Sequence, residues 1–173
     1  WYLLLHLHGS GSCATRYEGQ LYRRVIMILK YLSLAALVVL YSLMFIGGYV
    51  SASGLGLSCP EWPLCPSGIL PNEDYVIEWS HRFIAATTGV LIVATAIGSW
   101  LAKGADRKMK LTATLAAIFV VTQITLGAIV IDLKLHALLV AVHLGIGILL
   151  FAMTLLTTLF AFRLGRVSVQ ARV

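Results

Sequence analysis

Charge is scarce in this chain. Of its 173 residues only 12% are Asp, Glu, Lys or Arg, while 60% are hydrophobic and the mean hydropathy is +0.92. Soluble domains carry about 25% charge. So little polar surface excludes a water-soluble globular domain, and the gathering of apolar residues into long blocks makes lipid the solvent. The net charge of +6 does not call for nucleic acid, because membrane topology accounts for the Lys and Arg. Proline is confined as well. All four (Pro60, Pro63, Pro66 and Pro71) fall in one stretch, about 51–77, which contains no Lys or Arg. No basic residue precedes the apolar run from Trp1 to Leu7, which argues against a secretory signal peptide, and no Met opens the chain. Cysteine is limited to three positions.

What is present divides into four apolar blocks. Spans are expected over about 25–50, 78–102, 111–131 and 135–162, each long enough at about 1.5 Å per residue to cross roughly 30 Å of hydrocarbon. The expected fold is all-α, a polytopic membrane four-helix bundle forming one domain over 25–162. Asp132 and Lys134 mark a very short turn, so the third and fourth spans are antiparallel neighbours. Residues 1–24 read as a leader or a disordered cytoplasmic tail, flexible through Gly9 to Ser12, ahead of a natural start at Met27. Residues 163–173 read as a basic cytoplasmic tail. Of 13 Lys and Arg, only Arg82 and Lys134 stand at span ends on the side of the proline-rich loop. The positive-inside rule therefore places both termini in the cytoplasm and that loop outside a cell membrane.

Cys59 and Cys65 sit in S-C-P-E-W-P-L-C on the oxidising side, where a disulfide persists. A ring this small gains modest stability by closure, so the pair is either a structural staple or a redox-exchange pair. A metal pair is less favoured, with no His or further Cys close by. Cys13 has no assigned role, and His6 and His8 are too few for a metal site.

His81 and His143 carry the sharper reading. They lie in the second and fourth spans, each one to two turns below the outer end. Ionisable groups within a span are costly and point to function. Two imidazoles on separate helices at one depth suit the axial ligation of a haem iron. The plainer alternative is histidines bonded to neighbouring helices. His136, seven residues before His143, is a rival ligand or an interfacial residue. Glu78 projects from the same side of its helix as His81. It has three candidate roles: orienting the imidazole, acting as acid or base on a substrate, or favouring the helix N-terminus by its charge. Arg82 suits a haem propionate or a lipid phosphate. Gly47, Gly48, Gly54 and Gly56 with Ser51 and Ser53 either admit a flat ligand or end a helix. Trp62 and Trp79 suit an interfacial belt. Gln123, with Thr122 and Thr125, reads as interhelical hydrogen bonding.

The segments G-G-Y-V-S-A-S-G-L-G-L-S-C-P-E-W-P-L-C, E-W-S-H-R, Q-I-T-L-G-A and V-H-L together resemble haem A synthase, over about Phe45 to Phe151. Members of that family usually have eight helices in two similar halves, and this chain resembles the N-terminal half. The resemblance implies oxidation of the C8 methyl of haem O to a formyl group, giving haem A for terminal oxidases, with haem b as cofactor. It implies that His81 and His143 ligate haem iron, that Glu78 is the carboxylate beside the reacting group, and that Cys59 and Cys65 are the outer pair. A single His pair in half the usual length leads to the expectation of a homodimer or higher homo-oligomer. Two rival readings remain. One is a haem-binding electron-transfer or haem-delivery protein without oxygenase activity. The other is a thiol-redox protein whose histidines are structural.

Overall fold

The computed structural model describes residues 2–66, 68 and 73–170, with side chains described from residue 19 and, near the C-terminus, through 164 and at 166. His6, His8 and Cys13 lie outside the described side chains. Four helices account for nearly all of it: α1 (Tyr2–Ser53), α2 (Val76–Leu101), α3 (Arg107–Asp132) and α4 (Ala137–Gln170). A single 3-10 turn, Leu55–Leu57, follows α1. All four helices contain stretches long and apolar enough to cross a membrane.

The four expected spans are all present, and helix extends beyond them at both ends of the chain. The leader is helical rather than irregular from Tyr2 on, with no break at Gly9–Ser12. A helix already nucleated adds each residue at little cost, so one glycine at about 1 kcal/mol does not end it. The basic tail likewise continues α4 to Gln170. The basic run from Arg107 to Lys110 opens α3 instead of forming a loop, because the Asp106 carboxylate accepts the Met109 N–H at 2.8 Å. That caps the helix and sets a negative charge at its N-terminus.

The helices form a closed ring in chain order. α1 packs on α2 and α4, and α3 packs on α2 and α4, so α2 and α4 occupy opposite corners. Short connections make successive helices antiparallel. The interior is small and polar by the standard of a soluble core. Ser33, Thr88, Thr95, Ser99, Thr112, Thr154, Thr157 and Thr158 are buried, while Phe45, Val90, Leu101 and Leu138 are exposed. In lipid nothing drives large apolar side chains inward, and small residues let helices approach. Most of these hydroxyls bond a carbonyl of their own helix, as Thr154 does with Leu150 at 2.8 Å. Two tie helices together: Thr157 to the Thr112 hydroxyl at 3.0 Å, and Thr158 to the Ser33 carbonyl at 3.1 Å. Apart from Thr88, these hydroxyls are separated from the half that carries the histidines by an apolar layer of Ala36, Leu40, Ile92, Ala116, Val120 and Leu150.

The α3–α4 turn closes the cysteine-loop end. Lys134 and Leu135 both have positive φ, 52° and 60°, and the Leu135 N–H reaches the Val130 carbonyl at 2.8 Å. The Leu135 side chain then lies over Gly56, where an added Cβ would sit 3.3 Å from it.

Candidate functional site

One layer of the bundle combines two histidines with two glycines. His81 is five residues into α2 and His143 six into α4; Gly47 is six residues from the end of α1 and Gly127 five from the end of α3. At about 1.5 Å per residue all four lie 8–9 Å below the cysteine-loop end. Each imidazole meets a glycine on an adjoining helix. A Cβ on Gly47 would stand 3.0 Å from His81 Nε2, and one on Gly127 would stand 3.7 Å from His143 Cε1. The first approach is too close for a methyl group without displacing the ring; the second is an ordinary contact. The two imidazoles stand on opposite corners of the ring of helices at one level.

The chemistry of these nitrogens fits haem ligation. His143 Nδ1 is buried and has no hydrogen-bond partner. An unpaired polar nitrogen in lipid is expensive, and a ligand resolves the cost. Among the described residues no three His, Cys, Asp or Glu side chains converge on one point. A porphyrin brings most of its iron's ligands itself, and His81 and His143 are the side chains that would hold that iron.

Above this layer, Glu78 and Arg82 grip the cysteine loop. Cys59 and Cys65 form a disulfide with Cα atoms 5.1 Å apart, and both are buried. Glu78 Oε2 accepts the Cys59 N–H at 2.8 Å and the Ser58 hydroxyl at 3.1 Å. Glu78 Oε1 accepts from Arg82 Nη2, which also donates to the Cys59 carbonyl at 2.7 Å. Arg82 Nη1 donates to the Glu61 carbonyl at 2.5 Å and more weakly to that of Pro63 at 3.4 Å. One carboxylate and one guanidinium, a turn apart on α2, thus satisfy both backbone groups of Cys59. Glu78 is only 3% exposed despite its charge, which is tolerable because it is paired and fully hydrogen-bonded.

The candidate residues are therefore brought together with one refinement. Glu78 faces the loop rather than the His81 ring, and four of Arg82's contacts are within the protein. Its Nε is buried without a partner. His136 stands apart, exposed just ahead of α4, its carbonyl accepting from Leu139 and Val140. Trp79 stacks on Phe83 with ring centroids 5.3 Å apart, and Trp62 is exposed at the loop tip. Thr122 and Thr125 bond within their own helix, whereas Gln123 bonds across to α4. Sequence reasoning missed Ser58 as a partner of Glu78, and saw Gly47 only as one of a small-residue run. Counting residues from the two helix ends would have paired Gly47 with His81.

Comparison with known proteins agrees. The chain is 37% identical over 137 residues to a protein named heme A synthase from Bacillus licheniformis, covering 78% of this chain and 45% of that one. A heme A synthase from Bacillus pumilus is 33% identical over 142 residues, with 80% and 46% covered. A protein named protoheme IX farnesyltransferase from Halobacterium salinarum is 34% identical over 120 residues, 68% of this chain and 26% of its own length. The chain thus spans about half the length, or less, of the curated relatives it matches. Residues 72–172 match the family COX15-CtaA, described as cytochrome oxidase assembly protein, and this match covers more than half of the chain. The two-histidine membrane bundle is therefore a member of the COX15-CtaA family.

Proposed function

We propose that this chain is a haem A synthase unit, converting haem O to haem A by oxidising the C8 methyl to a formyl group. The observation that carries the reading is the layer in which His81 and His143 stand at one level on opposite corners of a membrane bundle, one with a buried unpaired nitrogen. The relatives named heme A synthase support the product, haem A. His81 and His143 would hold the haem, taken as haem b, whose iron supplies the redox chemistry when bound. Gly47 leaves the His81 ring its place against α1. Glu78 takes the part of the carboxylate beside the reacting group, and the Arg82 guanidinium on Oε1 balances its charge just above the histidine layer. The Cys59–Cys65 loop, gripped by the same pair, covers the site from the outer face of the cell membrane and limits water entry.

One His pair in about half the length of the relatives leads us to place the working form as a homodimer or higher homo-oligomer, with symmetric pairing restoring two sites. Size measurement of the haem-loaded protein in detergent checks this: a strictly monomeric, active species contradicts it.

The test of function is production of haem A in cells supplied with haem O, with extracted haems identified by mass. The wild-type chain yields haem A, and Glu78→Gln keeps bound haem while the formyl product disappears. One observation favours the rival reading of a haem-binding electron-transfer or delivery protein: both Glu78 oxygens already have partners within the chain. Under that reading haem binds and no haem A forms in either protein.

A further inference from the structure

We propose that Gln123 is the positioning residue for His143, acting through the main chain of the ligand rather than its ring. Gln123 Nε2 crosses from α3 and donates to the His143 carbonyl at 2.7 Å. That carbonyl also belongs to the backbone ladder of α4, so the amide uses its second lone pair. One turn further along α3, Gly127 faces the His143 ring at Cε1. On α4, Gly147 lies beside the amide, where a Cβ would make an ordinary contact 3.8 Å from Gln123 Nε2. α3 therefore meets His143 at two points, and the directed restraint is the amide on the carbonyl.

The arrangement leaves one ring nitrogen unused. His143 Nδ1 is buried with no partner in the chain. Metal-bound histidines are ordinarily oriented by a hydrogen bond on the nitrogen away from the metal. Here the observed restraint falls on the backbone, fixing the height and rotation of α4 at the ligand. His81 is held differently, through the flanking Glu78 and Arg82 clamped to the cysteine loop. The two ligands thus have independent supports, and loosening one should leave the other unaffected. This inference rests on the haem-binding reading above.

The test is a comparison in two backgrounds. Gln123→Met keeps the side chain's length and removes its donor. Haem-loaded protein is mixed with an excess of a haem-scavenging apoprotein, and the rate of haem loss is followed by absorbance. In a His81→Ala background, where His143 alone holds the iron, Gln123→Met accelerates loss about 10-fold. In a His143→Ala background, where His81 alone holds it, the same substitution leaves the rate unchanged. Gln123→Asn, which keeps an amide but falls short of the carbonyl, gives the same pattern and serves if the Met variant does not accumulate. Equal acceleration in both backgrounds, or none in either, overturns the proposal and makes Gln123 a plain helix–helix tie. Failure of the wild-type chain to take up haem removes the haem reading itself, and this inference with it.

Discussion

Gly47 shows how much of the site depends on a missing methyl group. A Cβ there would lie 3.0 Å from His81 Nε2, against 3.7 Å for the corresponding pair of Gly127 and His143. Gly47→Ala is therefore expected to displace the His81 ring and lower haem occupancy several-fold, by analogy with about 10-fold for lost ligand support. Gly127→Ala, at ordinary contact distance, is expected to leave occupancy within about 2-fold of wild type on the same scale. Absorbance of purified protein, normalised to protein mass, checks both. Glu78 and Arg82 make the second argument at this scale. Removing one member of a buried, hydrogen-bonded ion pair strands the other, at a cost of about 3–5 kcal/mol, whereas replacing both costs far less. Glu78→Ala should thus lower thermal stability in detergent more than Glu78→Ala combined with Arg82→Met. Equal losses would show that the pair is not a coupled unit.

At the scale of elements, the cysteine loop and the α3–α4 turn close the same end of the bundle by different means. The loop is fastened by a disulfide and by hydrogen bonds from α2. Closing so short a ring contributes about 2 kcal/mol in the chain-entropy account. Reduction should therefore speed amide hydrogen exchange first around Cys59 and at the start of α2, while the buried middle of the helices keeps its protection. The turn instead holds Lys134 in the left-handed region at φ 52° without being glycine. Lys134→Gly should raise stability by up to about 1 kcal/mol, read as a higher unfolding midpoint. Leu135 shares the positive φ, but its side chain covers Gly56, so shortening it forfeits packing.

The four elements themselves were legible in the sequence, because lipid demands long apolar runs and an apolar run has few other uses. Their ends were less legible. Asp106 draws Arg107 to Lys110 into α3 by capping, a local bond that hydropathy does not register. That α1 and α4 run on into the leader and the tail was not legible, because polar, glycine-containing sequence resembles a loop until an adjoining helix extends through it. At the site, His81 and His143 could be paired by depth alone. The target of Glu78 and Arg82 could not, since the backbone groups of Cys59 reach them only through a fold in the loop. Gln123 was legible as an interhelical donor but not as a donor to the His143 carbonyl.

At the scale of the whole molecule, the closed ring of helices makes depth the organising coordinate. Most buried hydroxyls occupy one half, an apolar layer the middle, and histidines and the disulfide loop the other end. Charge distribution orients this axis, with Lys103, Arg107, Lys108 and Lys110 at the end away from the histidines. A cysteine placed at Asp74 should react with a membrane-impermeant maleimide in intact cells, and one placed at Lys103 only after permeabilisation. The reverse pattern would invert the axis and move the site to the cytoplasmic face.

The most direct measurement of the central claim is the visible spectrum and haem content of the purified chain beside its His81→Ala/His143→Ala double variant. The wild type is expected to carry haem with the low-spin spectrum of two imidazole ligands, each single variant to lose that spectrum, and the double variant to be colourless. A double variant that keeps the wild-type haem content and spectrum would contradict the account.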